Sequence, residues 1–382
     1  MTLSCTCGPH PVVKIDLDSL NNSGSSSAVH DACSSHGCFH LRISVPHDDP
    51  SPLHNLRGDL CSNIESLFDE NMVRCAKLNP DGGLIETSYV TATSRRSATY
   101  RGRTSESGAA EQPEPKQSWE LKRCHAVVGS DVAGESNIVD ERLQQASGWT
   151  DGLHQAAEIV VQMLGVDQNT ILQNGPCGCS DVPCENKCCM DLMRVFRYDA
   201  LPSDQSRTSR PGSSPHSDWG CLTVVFQDTS GGLQTYCHEC DKWSDVAASL
   251  DAGASKNTID LFVHIGDFLS LATGGNYLSP RHRVLCPLQK EEGSYKESRC
   301  SLVYFAYPPP GKSIEEAEIK LSANNNTLEK RGASLRYDRY SLLQNQSTQP
   351  SDKSAHKDVY DRIRTLSFDE AIKEKWAQVQ RK

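Results

Sequence analysis

The chain has 382 residues, of which 37% are hydrophobic, and 49 acidic against 39 basic side chains give a net charge of −10. That length accommodates one large domain or two, and the apolar share is enough for a real core. The negative balance argues against generic nucleic-acid or anionic-membrane binding, which needs a positive footprint. The N-terminus has no basic start followed by an apolar run, so no signal peptide is expected. No stretch approaches the roughly 18–20 apolar residues that span a bilayer. The 17 cysteines, without a secretory signal, read as mostly free thiols in a reducing compartment, which makes the expected location cytoplasmic.

In chain order, residues 11–17 read as a short strand. After a Ser/Asn/Gly linker, residues 28–43 read as a helix, a break at Gly37 and a strand. Residues 54–77 follow as a helix, with Leu56, Leu60, Ile64 and Leu67 at near-helical spacing. Residues 88–118 are loop-rich and carry Arg95, Arg96, Arg101 and Arg103. This cluster is either a solvated loop or a positive rim that attracts an anionic substrate. Residues 138–165 form the clearest helix, with Trp149, Leu153, Ala157, Val160 and Leu164 on one apolar stripe built for packing.

Cys177, Cys179, Cys184, Cys188 and Cys189 crowd one loop. Four thiolates can hold Zn²⁺, but this spacing is not a pair of C-x2-C knuckles, and an oxidisable thiol-rich loop is the other reading. Cys237-His238-Glu239-Cys240 reads as a hairpin tip that carries cysteines, or as a redox or metal pair. Residues 193–198, 222–227, 232–236, 258–265, 268–272 and 300–307 are β-rich runs bounded by turn residues. Many short strands of this kind mean a sandwich or barrel. After Pro308-Pro309-Pro310-Gly311 the chain turns polar. Ser367 and Glu370 then make a capping box, and Phe368, Ile372, Trp376 and Val379 make the stripe of a closing helix.

The chemistry concentrates between His216 and Pro310. His216 and Asp218 stand two apart, which on a strand puts both side chains on one face. His282 is expected from a facing strand. Two imidazoles and one carboxylate on one face of a metal leave the opposite face open, as in the facial triad of non-haem Fe(II) oxygenases. Arg299 and Ser301, again two apart, put a guanidinium and a hydroxyl on one face of a later strand. The planar Arg fork matches a carboxylate. Iron plus an organic-acid co-substrate is the reading these residues give. The alternatives are ordinary strand-end polar residues, or a zinc hydrolase site. Arg299 and Ser301 count against the hydrolase, which needs no second carboxylate anchor.

The ordered set H-S-D at 216–218, G-G-L-Q at 231–234, H-I-G-D at 264–267, N-Y-L-S-P-R-H-R-V at 276–284 and R-C-S-L-V-Y-F at 299–305 resembles a known family. It is similar to the 2-oxoglutarate-dependent Fe(II) dioxygenases of the isopenicillin N synthase-like group. The resemblance implies an α+β, mainly β chain: a double-stranded β-helix (jelly roll) with flanking N-terminal and C-terminal helices. It implies an N-terminal cap over residues 1–165, the jelly roll over 166–310, and a tail with a closing helix over 311–382 that folds back on the barrel.

For the site, the resemblance implies Fe(II) on His216, Asp218 and His282. It implies 2-oxoglutarate with its distal carboxylate on Arg299 and Ser301 and a further contact from Tyr198, with O2 as co-substrate and ascorbate as a supporting reductant. Many plant members read N-x-Y-P where this chain has Phe196-Arg197-Tyr198-Asp199, so one element of that pocket departs. The implied reaction oxidises an unactivated C–H of a small metabolite by hydroxylation, desaturation or ring closure, with release of succinate and CO2, as in secondary metabolism. Tyr100, Arg101, Arg197, Trp219, Leu222, Gln234 and Phe305 are candidate pocket walls, although Trp219 also reads as core. Arg95, Arg101, Arg197 and Arg281 point to a carboxylate-bearing or amino-acid-derived substrate, taken by a monomer with no nucleic-acid or membrane partner. Two other functions stay open: an isopenicillin N synthase-type oxidative cyclase that uses no 2-oxoglutarate, and a non-enzymatic thiol-rich metal-binding protein.

Overall fold

The computed structural model describes residues 10–16, 23–46, 50–56, 64, 67–68, 116–122, 137–173, 190–202, 208, 211–228, 230–248, 258–288, 298–319, 340–343 and 353–380. The organising strand is β11 in the numbering used below, Ser298–Ala306. Its side chains alternate between faces, as the two-residue period of a strand requires. Cys300, Leu302, Tyr304 and Ala306 enter one apolar core, whereas Val303 and Phe305 belong to a second.

Seven strands share its sheet: β1 (Val12–Asp16), β2 (Cys38–Ser44), β3 (Lys116–Lys122), β4 (Leu192–Asp199), β6 (Leu222–Gln227), β9 (Thr258–Ile265) and β11, in the spatial order β1-β2-β9-β6-β11-β4-β3. β5 (Ser213–His216), β7 (Leu233–Cys237), β8 (Lys242–Asp245) and β10 (His282–Val284) form a second sheet, ordered β5-β10-β7-β8. Phe196, Tyr198, Val225, Phe262 and Val303 of the large sheet meet Leu233, Val246 and Val284 of the small one in a single cluster. Two sheets closed over one such interior make the jelly roll, in agreement with the mainly β expectation. The outer face of the large sheet is covered by α2 (Asn137–Met163), which follows α1 (Ser23–Ser35). Trp149, Leu153, Ala157 and Val160, and Leu164 just beyond the helix, are all buried there, as the stripe predicts.

Residues 28–43 fold as read: α1, a turn at Gly37, then β2. Gly37 has φ +71°, and a Cβ there would stand 2.2 Å from the Leu278 carbonyl oxygen. Only glycine fits both constraints. β1 pairs with β2, and β2 with β9, so the first two strands extend the large sheet.

Several elements differ from the sequence reading. Residues 268–272 are not a strand but part of a helix, α4 (Asp267–Ala272), which follows the short α3 (Gln168–Ile171). A short, wholly buried apolar run has no period that separates helix from strand. The 116–118 end of the predicted loop is strand β3, whose polar K-Q-S-W-E-L-K lacks an apolar alternation. β5, β8 and β10 are short and polar and escape a pattern-based reading for the same reason. In the predicted helix over 54–77, the described part holds a short 3-10 turn, Pro52–Leu56, and buried Ile64 and Leu67. The rest of that stretch, Tyr100, the arginines at 95–103, and the five cysteines at 177–189 lie outside the described residues.

The tail returns to the barrel. Residues 340–343 are buried, and α5 (Lys353–Ile363) precedes α6 (Phe368–Gln380). Glu370 accepts from the Ser367 amide at 3.1 Å, one half of the predicted capping box. Phe368 packs edge-on to Phe268 at 5.3 Å between ring centroids.

Candidate metal and co-substrate site

β5 and β10 are antiparallel neighbours in the small sheet, with His216 and His282 as direct partners and their rings 4.3 Å apart. His282 therefore arrives from the adjacent strand, not from a facing one. Asp218 lies past the end of β5, so strand alternation does not aim it. Its backbone is fixed instead by α4: the Asp267 amide donates to the Asp218 carbonyl at 2.7 Å. This approach is close enough that a Cβ on Gly266 would stand 2.2 Å from the Gly220 oxygen.

The result is a three-residue cluster. One ligand-capable atom from each of His216, Asp218 and His282 lies within 4.8 Å of the others. Asp218 Oδ1 is 3.5 Å from His216 Nε2 and 3.7 Å from His282 Nε2. The far ring nitrogens are already committed. His216 Nδ1 donates to the Ser214 carbonyl at 2.6 Å, and His282 Nδ1 to that of Pro280 at 3.2 Å. Because a carbonyl only accepts, each Nδ1 carries the proton and each Nε2 keeps its lone pair for a metal. The second oxygen of Asp218, Oδ2, accepts from Thr223 Oγ1 at 2.5 Å and lies 3.6 Å from His264 Nε2.

The electrostatics of Asp218 and His282 agree with this division of labour. At His216 burial pushes the ring down, but the hydrogen bond and charge of Asp218 outweigh it and raise the ring above its usual value. Burial by itself pushes the Asp218 carboxyl up, but the surrounding imidazoles of His282, His264 and His216 reverse that and hold it well below the usual carboxylate range. Burial, reinforced by its two histidine neighbours, holds His282 well below the usual imidazole value, in the neutral form that ligates a metal.

Arg299 stands on the interior face of β11, only 1% exposed. Its Nε donates to the Gly231 carbonyl at 2.5 Å, Nη1 to Ser301 Oγ at 3.3 Å and Nη2 to Gln227 Oε1 at 3.1 Å. Its guanidinium lies 4.9 Å from the centre of the Tyr198 ring, on the strand directly paired with it. None of these three acceptors is an anion. Among the described residues the guanidinium thus has only neutral hydrogen-bond acceptors, and a buried charge without an opposite partner is costly.

The other sequence candidates separate. Phe305 is on the interior face, 5.7 Å from the Arg194 guanidinium. Arg197 points to the other face of β4 from Tyr198 and lies 4.0 Å from Asp199. Leu222 is buried in the outer core, and Trp219 packs half-buried against that core. Gln234 faces away from the interior, bonded to Asp245 and Arg283. Tyr100 and Arg101 lie outside the described residues. Sequence reasoning missed Thr223, Gln227, His264, Lys116 and Arg194. Lys116 Nζ lies 5.2 Å above the Phe196 ring and 3.4 Å from Ser213 Oγ. Arg194, Phe196 and Tyr198 share one face of β4 by simple alternation, which was the available signal. Cys237 is a free thiol and Cys240 is disulfide-bonded, so these two are not paired with each other. They sit on the β7–β8 hairpin turn, and among the described residues no second metal-capable group appears.

Residues 190–308 match the model of the 2OG-Fe(II) oxygenase superfamily. That segment holds His216, Asp218, His282, Arg299 and Ser301 and is similar to the domain of that superfamily. A 2-oxoglutarate-dependent dioxygenase, frbA, from Dothideomycetidae sp. (strain 11243) is 30% identical over 135 residues, 35% of this chain and 38% of that protein. The proline hydroxylase buaE of Petromyces alliaceus is 30% identical over 132 residues, 35% of this chain and 39% of that protein. The match thus spans well under half the length of these curated relatives. The crystal structure of the dioxygenase for auxin oxidation in rice overlays with a TM-score of 0.48 at 20% identity, covering 78% of this chain and 83% of that one. Among the described residues no helix is long and apolar enough to cross a membrane.

Proposed function

We propose that this chain is an Fe(II)- and 2-oxoglutarate-dependent oxygenase that oxidises an unactivated C–H bond of a small molecule and releases succinate and CO2. The observation that carries this reading is the convergence of His216 Nε2, His282 Nε2 and Asp218 Oδ1 within one jelly-roll interior that also holds the buried Arg299 fork. The donor set fits iron: two imidazoles with oriented second ring nitrogens and one ionised carboxylate. Bound iron would supply the redox chemistry that no side chain here possesses.

The protein's own residues do the rest. His216, His282 and Asp218 would hold the metal, and Thr223 Oγ1 donates to Asp218 Oδ2. The terminal nitrogens of Arg299 and the Ser301 hydroxyl take the distal carboxylate of 2-oxoglutarate, with the Tyr198 ring against the guanidinium. Burial of His282, Arg299 and Ser301 keeps water from these contacts. Lys116, Arg194, Phe196 and Phe305 form one linked cationic and aromatic cluster, with Lys116 within electrostatic reach of His216, which suits a carboxylate-bearing or amino-acid-derived substrate. We take the cap, jelly roll and tail to divide near residues 165 and 310. We also take the enzyme to be a cytoplasmic monomer, a reading that the reduced thiols Cys33, Cys38 and Cys221 favour and the disulfide-bonded Cys240 opposes.

The test is a metabolite panel incubated with Fe(II), ascorbate and labelled 2-oxoglutarate. Substrate-dependent release of CO2 and succinate, abolished in His216→Ala, is the expected result. Substrate oxidation without CO2 would instead assign an isopenicillin N synthase-type oxidase. Stoichiometric zinc with no turnover of any substrate would assign a metal-binding protein.

A further inference from the structure

One buried carboxylate lies behind the metal cluster and is not a member of it. Asp267, the first residue of α4, is fully buried and collects three side-chain bonds from three separate segments. Its Oδ2 accepts from Ser217 Oγ at 3.0 Å and from the Leu342 amide at 2.8 Å, and its Oδ1 accepts from Ser279 Oγ at 2.6 Å. Ser217 is the residue between His216 and Asp218. Ser279 opens the loop that delivers His282, one residue before the Pro280 carbonyl that orients that ring. Leu342 belongs to the tail, far away in sequence.

The tail segment 340–343 meets the same turn a second time. Ser217 and Ser341 exchange two bonds: the Ser217 amide donates to Ser341 Oγ and the Ser341 amide to Ser217 Oγ, both at 2.8 Å. Tyr340 Oη lies 3.1 Å from Ser270 Oγ on α4. Lys375 on α6 is buried and within electrostatic reach of Asp267. Two backbone donors of this tail segment, the Ser341 and Leu342 amides, are thus spent on the ligand-bearing turn and on the carboxylate that anchors it, whereas an ordinary surface tail bonds to water. A core of this kind has discrete packed arrangements, so a ligand turn tied at three points has one geometry.

We propose that Asp267 and the tail segment 340–343 are positioning residues for the metal centre, and that docking of the tail sets its metal affinity. This rests on the assignment of His216, Asp218 and His282 as ligands. Removing a hydrogen bond behind a ligand typically weakens metal binding about 10–100-fold. The experiment uses the full-length chain and Co(II) as a redox-stable probe, titrated by calorimetry and visible absorption, with thermal melting of the metal-free protein alongside. Ser341→Ala is expected to weaken Co(II) binding about tenfold, and combining it with Ser217→Ala is expected to give less than the product of the single effects, because both delete one shared exchange. Asp267→Asn, which keeps the side-chain size, is expected to weaken it further and provides the measurement should Ser341→Ala not fold. Co(II) affinity within threefold of wild type in the folded variants overturns the proposal. A lower melting temperature with unchanged affinity does the same, since that marks a merely structural strut. His216→Ala is the separate control: if it keeps wild-type affinity, the ligand assignment fails rather than the role of the tail.

Discussion

Replacing Arg299 by lysine keeps a positive charge and removes the fork. A guanidinium has five N–H donors. Three are engaged here, with Gly231, Ser301 and Gln227, which leaves one N–H on each terminal nitrogen. That pair matches the two oxygens of a carboxylate. Lysine retains a point charge and satisfies one oxygen, so one charge-assisted bond is lost, worth about 1.5–3 kcal/mol. The dissociation constant for 2-oxoglutarate should therefore rise about 10–150-fold. Calorimetry on the Co(II)-loaded protein reads this directly. Pyruvate has the same keto-acid head and no distal carboxylate, and its weaker binding should be unchanged. Equal weakening of both acids would mean that Arg299 supports the metal end of the pocket. An unchanged constant for 2-oxoglutarate would remove Arg299 from the site altogether.

Two further predictions concern stability. Tyr304 is fully buried, donates to Asp191 at 2.9 Å and pairs with His154 at 2.8 Å. Tyr304→Phe takes a partner from both buried groups, at a cost of about 1–3 kcal/mol. A melting temperature within one degree of wild type would refute that account. His10, bonded through Nε2 to Thr235 at 2.7 Å, has its pKa pushed down from 6.5 to about 4, first by burial and then by His40 and His36. Above pH 6.5 its ring is neutral in both folded and unfolded chains. As the pH falls towards 4, the unfolded chain binds a proton that the fold refuses, so stability drops by up to about 3 kcal/mol across that window. Urea titrations at several pH values should show this slope, and His10→Asn should flatten it. An unchanged slope in the variant would assign the drop to other groups.

The sequence alone supplied the residue types on which the proposed chemistry rests, because ligand types are a property of residues: two histidines, an aspartate, an arginine and a serine in one ordered set. It also determined the apolar strands and the long helix, whose stripes have a period that can be read directly. Polar strands such as β5 and β10 have no such period, and they carry both histidines. How the ligands meet was therefore a tertiary matter. His282 lies beside His216 because β10 pairs with β5, and Asp218 is aimed by a turn packed on α4 rather than by alternation. The supporting residues were hidden for the same reason. Thr223, Gln227, His264 and Asp267 carry no spacing signal toward the site, and Ser341 lies more than a hundred residues from the turn it bonds. Only the packing of the tail against α4 brings it there, since a buried backbone donor must find its acceptor wherever the fold provides one.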